Sequence, residues 1–257
     1  MSKAIYIVLI ILLPVCLSGV VWHLQENLPL FPDDEKDALS CVADPSVFAD
    51  TLCFVSAWSP GFREFGICEG LFYAGSRSFA LTFVTQHHRL MGNHVLSAAF
   101  PVIKGENIRA GLELHYGISA IPGFETRHGG SCSGAVRLFP HPQWQVMLRS
   151  RYMLAFPQEP AAGIFESGIL AGITYAPLPF VRLSGCLSKC AALPWRGVLQ
   201  LSCLPGKALS VSAGYDIWDR DLALRIRVRV RRWQVEENLR FHPVLGISHM
   251  IFIAYAY

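Results

Sequence analysis

The chain has 257 residues, 52% of them hydrophobic and only 16% charged, and its net charge of +3 excludes the strongly basic balance typical of nucleic-acid-binding proteins. Its mean hydropathy of +0.36 is high for a water-soluble domain. Yet no apolar run after residue 22 approaches the roughly 20 residues that a membrane-spanning helix requires. Two fold classes remain, an outer-membrane β-barrel that shows its apolar residues to lipid and an unusually apolar exported β-sandwich.

The first 22 residues, MSKAIYIVLIILLPVCLSGVVW, contain one lysine followed by an apolar stretch. This pattern predicts a secretory signal peptide over residues 1–19, with an uncleaved anchor or a lipid-modified Cys16 as alternatives. Residues 20–49 are polar and contain prolines, so we expect a leader, either exposed or entering the domain that follows. Residues 50–257 would then form that domain.

From about residue 50, apolar and polar residues alternate in segments of roughly ten, separated by turn residues. This is the sequence pattern of a transmembrane antiparallel β-barrel, and the fold class predicted is all-β. An even strand number permits closure with both ends on one side of the membrane. About fourteen strands are predicted, at 51–59, 64–73, 77–86, 93–103, 106–118, 128–139, 142–153, 164–176, 179–189, 195–204, 207–216, 221–231, 233–242 and 246–257.

Two of these segments show the alternation clearly. In NIRAGLELHYGI, at 107–118, the apolar residues share one face, and Arg109, Glu113 and His115 share the other. In QWQVMLRSRY, at 143–152, Arg149 and Arg151 lie on the polar face, while Trp144, Val146, Leu148 and Tyr152 are predicted on the apolar one.

The segment LALRIRVRVRR, at 222–232, places arginine at every second position. An arginine that faces lipid at the bilayer midplane costs about 2–4 kcal/mol, so we expect all four to face the lumen. They would form a cationic passage or an anion-binding wall, or else belong to a lumen filled with paired charges and water. The candidate lumen-lining or ligand-binding residues are Arg109, Glu113, Arg149, Arg151, Arg225, Arg227, Arg229 and Arg231.

The last predicted strand, ISHMIFIAYAY, ends on an aromatic residue. Ile251, Ile253, Tyr255 and Tyr257 share one face of this strand, and they are predicted to be the signal for insertion by the outer-membrane barrel-assembly machinery. In the preceding strand, Glu237 is predicted on the lipid side, which is an exception to the pattern unless it lies at the rim or a bulge shifts the register.

No catalytic, cofactor or metal site is predicted. His87, His88 and His94 are close in sequence, but no carboxylate or cysteine supports them, and adjacent strand residues point to opposite faces. Glycine-rich GGSCSG, at 129–134, begins a strand rather than a helix, so it does not predict a phosphate-binding loop. Most of the eight cysteines are interpreted as small hydrophobic residues.

Several stretches resemble the PorV/PorQ type of outer-membrane protein of the Bacteroidota, relatives of the FadL-type long-chain fatty-acid transporters. They are ADPSVFAD at 43–50, FREFGICEGLFYA at 62–74, the hairpin at 94–119 and LRFHPVLGISHMIFIAYAY at the end. The resemblance implies a fourteen-stranded barrel in the outer membrane. It also implies that Asp44, Pro45 and Ser46 stand where the family has an Asn-Pro-Ala element that enters the barrel, although two of the three residues differ.

The function expected is passage of a small hydrophobic or anionic ligand by a non-enzymatic outer-membrane barrel in contact with outer-membrane lipid. The resemblance also implies an alternative, a membrane partner in type IX secretion or outer-membrane assembly. A barrel lipid hydrolase is a further alternative that requires a Ser/His pair at the outer rim, where the sequence shows no convincing one. The soluble exported β-sandwich predicts a protein that needs no detergent.

Overall fold

A computed structural model gives the architecture of the chain, and it describes residues 42, 44–48, 50–59, 68–88, 91–121, 123, 125–156, 165, 167–190, 195–206, 208–218, 220–243 and 246–257. These residues form a closed antiparallel barrel of fourteen strands, which confirms the predicted fold class and strand number. The predicted signal peptide at 1–19 and most of the leader at 20–49 lie outside the described residues.

Each strand pairs with its neighbours in chain order, and β1 pairs with β14 to close the barrel. The strands are β1 (Cys53–Ser59), β2 (Cys68–Gly75), β3 (Ala80–His88), β4 (Met91–Lys104), β5 (Ile108–Ala120), β6 (Arg127–His141), β7 (Trp144–Phe156), β8 (Gly168–Leu178), β9 (Val181–Cys190), β10 (Arg196–Cys203), β11 (Leu209–Asp216), β12 (Leu222–Val230), β13 (Trp233–His242) and β14 (Gly246–Ala256).

The closing pair sets the direction of the barrel. Cys53 at the start of β1 lies opposite Ala256 at the end of β14, so both strand termini lie at one end, which we call the terminal end. The opposite end is called the far end. At the terminal end, two residues suffice to join β6 to β7, β8 to β9 and β12 to β13. Such short turns are typical of the periplasmic side of outer-membrane barrels.

Alternation along each strand separates an apolar outer face from a polar lumen. On β5, Leu112, Leu114 and Tyr116 are 49–56% exposed on the outer face, whereas Glu113 and His115 between them are buried in the lumen. Successive side chains of a strand point to opposite faces, so the sequence period of two becomes this difference in environment. No helix among the described residues has the length and apolar character needed to cross a bilayer.

Aromatic pairs lie near the terminal end of the outer face. Trp144 at the start of β7 stacks on Tyr175 of β8 with ring centroids 4.4 Å apart, and Trp233 of β13 packs on Tyr255 of β14 at 4.8 Å. Aromatic girdles at such positions mark the membrane–water interfaces of outer-membrane barrels.

One half of the lumen is predominantly apolar. Buried Val55, Val84, Val95 and Phe252, from β1, β3, β4 and β14, belong to a hydrophobic cluster that continues into Val47 of the N-terminal segment. We call the described residues of this stretch, 42, 44–48 and 50, the N-terminal segment. It covers the apolar wall, so the free part of the lumen lies against the polar strands on the other side.

The predicted outer-face position of Tyr152 is wrong. Cys132 of β6 pairs with Met153 of β7, and Gly134 pairs with Ser150. These pairs are two residues apart on β6 but three residues apart on β7, so β7 has one extra residue between them, which is a β-bulge. Tyr152 itself has a φ of 48° and is buried on the lumen side. A bulge of this kind turns a side chain to the opposite face, and the sequence alternation gives no sign of it.

The prediction that Arg231 faces the lumen is also wrong. Strand β12 ends at Val230, and Arg231 occupies the two-residue turn to β13 with a φ of 56°. Its side chain is exposed. Continuing the alternation by one residue misplaces this arginine because a hairpin turn reverses the chain before the next lumen position is reached.

Candidate functional site

The N-terminal segment is anchored inside the lumen through Asp44. Its carboxylate forms an ion pair with the buried guanidinium of Arg137 on β6. Oδ1 of Asp44 accepts hydrogen bonds from the backbone N–H of Ser46, at 2.8 Å, and from the Ser46 hydroxyl, at 2.6 Å. The three residues of the predicted plug-like element are all buried, and they lie within the barrel.

Backbone packing fits this segment closely to β5. A Cβ atom built at Gly111 would overlap the carbonyl oxygen of Pro45, so only glycine leaves room for the segment at this position. The Gln145 side-chain oxygen accepts from Nη1 and Nε of Arg137, at 2.6 and 3.2 Å, and holds that guanidinium toward Asp44.

The electrostatics of Asp44 favour its charged form. Burial by itself raises the pKa of this carboxyl, but the nearby guanidiniums of Arg137 and Arg149 and the hydrogen bond from Ser46 outweigh it. The pKa of Asp44 is therefore held below its ordinary value. A carboxylate that stays ionised keeps the ion pair with Arg137 over the physiological pH range.

A second charged group lies on β5 and β7, further from the terminal end. Arg149 places Nη2 3.5 Å from Oε2 of Glu113, and both side chains are buried. Arg151 on the same strand is also buried in the lumen. The structure thus brings together three of the lumen candidates that the sequence predicts.

Sequence reasoning missed a serine–histidine cluster beside this group. Ser97 Oγ lies 2.7 Å from Nδ1 of His115, and Ser133 Oγ lies 2.7 Å from Nε2. The ring of Tyr152 packs edge-on against the imidazole at 4.8 Å, and Phe165 lies beside both rings. The cluster lies in the lumen and not at the outer rim. Its hydroxyls are buried, so the geometry is that of a packed polar core.

Strands β12 and β13 carry the third charged group. Glu236 is fully buried and lies 3.1 Å from Nε of Arg225 and 2.7 Å from Nε of Arg227. Arg229 is half-buried nearer the terminal end. Arg109, also half-buried near that end, lies over the ring of Phe139 at 5.1 Å. Alternation on β12 therefore places two arginines deep in the lumen and a third toward its mouth.

A cavity opens at the far end between β7 and β13. The space between its walls is about 940 Å³, a volume that includes open solvent at its mouth. Arg196 Nη2 lies 3.1 Å from Oδ2 of Asp216, and Arg240 forms an ion pair with Asp221. Arg151 and Arg225 also line this cavity. Arg196 and Arg240 do not belong to a conspicuous arginine run, so the sequence pattern does not mark them as candidates.

A carboxylate and a histidine meet on the outer face. Glu237 lies on that face, as its position in the alternation predicts, and its Oε1 is 3.3 Å from Nδ1 of His249 on β14. Both side chains are about half exposed. Neither a rim position nor a bulge accounts for Glu237, because the pairing of β13 with β14 is regular and Glu237 lies directly opposite Ile251.

Three of the C-terminal residues predicted as an insertion signal lie on β14, and Tyr257 directly follows it. Ile251 and Ile253 are exposed on the outer face, and Tyr255 is covered by Trp233. The backbone N–H of Tyr257 donates to the carbonyl of Leu52, 2.8 Å away, at the seam of the barrel.

Of the histidines in the 87–94 stretch, His94 contacts a threonine and a phenylalanine. Nδ1 of His94 lies 2.7 Å from Oγ1 of Thr85, and its ring stacks on Phe83. In the described part of the chain, no group of three His, Cys, Asp or Glu residues is arranged to hold a metal ion.

The fold is similar to that of solved outer-membrane barrels. Omp33 of Acinetobacter baumannii matches with 5% identity and a TM-score of 0.51, covering 80% of this chain and 98% of that one. A deltaS2S3 mutant of TodX, a monoaromatic hydrocarbon channel, matches with 5% identity and a TM-score of 0.60, covering 86% and 95%. No protein-family model matches the chain, and no curated protein sequence matches it. The chain therefore has the closed-barrel fold of outer-membrane channel proteins.

Proposed function

We propose that this chain is a non-enzymatic outer-membrane channel that passes a small ligand through its polar half-lumen. The observation that carries the proposal is the combination of an apolar outer face with a lumen lined by charged side chains around an open cavity. The outer face suits hydrocarbon, whereas buried arginines and carboxylates suit an aqueous path. The barrel fold shared with a hydrocarbon channel supports the same function.

The proposed path runs from the far-end cavity toward the terminal end, past the ion pairs of β12–β13 and of β5–β7. The N-terminal segment bounds this path on the apolar side, and we propose that Asp44, Pro45 and Ser46 act as a plug there. The docked segment narrows the lumen, and its release would widen the path.

We further propose that this channel is of the PorV/PorQ type. This assignment rests on the sequence resemblance, which includes the Asp44–Ser46 element, together with the barrel fold. The same resemblance keeps a role in secretion or outer-membrane assembly as the alternative. In either case we propose export through a cleaved signal peptide, insertion by the barrel-assembly machinery through the aromatic-ended β14, and contact with outer-membrane lipid.

Location and channel activity are tested separately. The full-length gene product is fractionated and run on a gel with and without boiling, and we expect outer-membrane recovery and a boiling-dependent shift in mobility. Recovery from the periplasm without detergent would contradict the outer-membrane location. The purified protein is then added to a planar lipid bilayer, where we expect discrete conductance steps. A folded, membrane-inserted protein with no conductance and no uptake of small solutes into liposomes would contradict the channel.

The absence of enzymatic activity is tested at Ser133, one of the two serines that contact His115 in the lumen. Ser133 is 1% exposed, so we expect a fluorophosphonate probe to leave it unlabelled in the folded protein. Labelling that disappears in the Ser133→Ala variant would support the lipid-hydrolase alternative.

A further inference from the structure

The polar pair of Glu237 and His249 lies deep in the apolar band of the outer face. Trp233 belongs to an aromatic pair near the terminal end, and Glu237 follows it by four residues on β13. A strand rises about 3.3 Å per residue and is tilted by about 40° in such barrels, so Glu237 lies about 10 Å further along the membrane normal. The apolar band of an outer-membrane barrel is about 25 Å tall, so Glu237 lies near its middle.

The other carboxyl groups of the described strands are buried. They belong to Glu69, Glu113, Asp216 and Glu236, whereas Glu237 is about half exposed. Near the middle of a bilayer a carboxyl group meets no water, and acyl chains offer it no hydrogen bond. Exposure of Glu237 to lipid is therefore costly, and a polar group on another protein lowers that cost.

The pair can bind a further polar group. Oε1 of Glu237 lies 3.3 Å from Nδ1 of His249. A carboxyl group has two oxygens and an imidazole has two nitrogens, so each side chain has a second atom that can contact another molecule. The residues directly opposite Glu237 on the neighbouring strands are Ile226 and Ile251, and both are exposed. The surface is thus a polar centre with an apolar surround, which suits contact with a protein inside the membrane.

The two side chains are complementary to a second copy of the same surface. Two copies inserted in the same direction are related by a two-fold axis along the membrane normal, and the same patch of each then meets the other. Such an axis preserves depth, so only groups at one depth meet across it. The carboxyl group of Glu237 and the imidazole of His249 are in contact and therefore lie at one depth. Each copy can then bond the imidazole of the other through its carboxyl group.

We propose that the outer face of β12, β13 and β14 is an interface between two copies of this chain in the membrane. Glu237 and His249 lie at its centre, and Ile226, Val235 and Ile251 surround them. The inference goes beyond the proposed channel, because it assigns a partner to the outer face. It rests on the outer-membrane location in the proposed function and not on conductance.

Contact between copies is measured by photo-crosslinking of the full-length gene product in isolated outer membranes. Dilution in detergent shifts an association equilibrium toward single copies, so the membrane is the place to test it. Benzoylphenylalanine is introduced in place of Val235, or in place of Leu199 as the matched control. Both residues are exposed on the outer face, but Leu199 lies on β10, away from the proposed interface.

Irradiation should give a product of twice the mass of one chain with the probe at position 235. At position 199 we expect at least tenfold less of this product. Co-expression of two differently tagged chains identifies the second copy, because the product then carries both tags. A product that contains a different protein in place of the second copy would overturn the proposal, and so would equal yields from the two positions.

Variants locate the centre of the interface. The double change Glu237→Leu and His249→Leu makes the surface wholly apolar, and we expect it to lower the crosslinked yield at position 235 at least tenfold. The matched control is Thr85→Leu with His94→Leu, which removes another hydrogen-bonded pair, 2.7 Å apart, from the outer face of β3 and β4. Its yield should stay within twofold of the wild type.

A second variant guards against failure to fold. Ile251→Trp keeps both polar groups and places a bulky side chain between the copies, so it should also lower the yield at least tenfold. The boiling-dependent shift in gel mobility shows which variants form the barrel. Unchanged yield in a folded double variant or in folded Ile251→Trp would overturn the interface.

Failure of this inference differs from failure of the channel. Conductance steps from a protein that gives no crosslinked dimer would overturn the interface and leave the channel standing. A crosslinked dimer without conductance would support the interface and overturn the channel. Recovery of the chain outside the outer membrane would overturn both.

Discussion

Removing the charge of Asp44 should release the N-terminal segment from the lumen. The change Asp44→Asn is the sharpest test, because asparagine keeps an Oδ1 acceptor for the hydrogen bonds from Ser46 and removes only the ion pair with Arg137. Breaking a buried ion pair from one side costs about 3–5 kcal/mol. Gln145 still binds Arg137 in the variant, so we take the lower end, about 3 kcal/mol.

That loss corresponds to roughly a 100-fold fall in the equilibrium constant for docking, at about 1.4 kcal/mol per factor of ten. Buried Val42 and Val47 still hold the segment in place most of the time. We therefore expect brief, larger conductance events whose frequency rises about 100-fold over the wild type. The measurement is single-channel recording in planar bilayers at neutral pH.

The matched control is Asp50→Asn, which removes the same charge from an exposed position of the same segment. The control should behave as the wild type does. If Asp44→Asn and Asp50→Asn gave the same recordings, the ion pair would not hold the segment, and the proposed plug would be wrong.

Three further outcomes are expected. The pKa of Asp44 in the folded protein lies below its ordinary value of 3.8, so Asp44 stabilises the docked segment fully above pH 3.8 and loses this effect only at lower pH. The wild type should therefore show more of the larger conductance events only in acid. Asp44→Asn should abolish this pH dependence of the conductance. Glu236→Gln leaves two buried arginines without their shared carboxylate, and we expect it to lower the free energy of unfolding by about 3–5 kcal/mol, measured by denaturant titration in detergent. Glu237 is exposed, so Glu237→Gln should change the free energy of unfolding by less than about 1 kcal/mol. Equal effects of the two changes would contradict the faces assigned to Glu236 and Glu237. Gly111→Ala should reproduce the conductance of Asp44→Asn because its methyl group displaces the segment, whereas at Gly130 the nearest atom would be 3.7 Å away and alanine should have no effect.

The outer-face pair of Glu237 and His249 shows the limit of a rule based on alternation. The prediction placed Glu237 on the lipid side and treated it as an exception, and the structure keeps it there with a partner across the strand pair. His249 follows the same alternation on β14, but the register that brings the two together is a property of the paired strands. A polar group on a lipid-facing surface costs less when a neighbouring polar group satisfies its hydrogen-bonding capacity.

The sequence by itself determined the number of strands and most of the faces that were assigned along them. This information is local, because a period of two in hydrophobicity is set by residues adjacent in the chain. It was sufficient to place Arg149, Arg151, Arg225 and Arg227 in the lumen. Local pattern could not reveal the bulge that turns Tyr152 inward, because a bulge is defined by the pairing of two strands.

Tertiary structure alone decided which lumen charges meet and what fills the barrel. Asp44 and Arg137 are 93 residues apart in sequence, and Arg196 and Asp216 come from different strands, so no spacing rule links them. The division of the lumen into an apolar half, covered by the N-terminal segment, and a polar half with a cavity arises only when fourteen strands close into a ring. Closure brings strands that are distant in sequence to face one another across the lumen. No single segment of the chain contains the information on which side chains then come close.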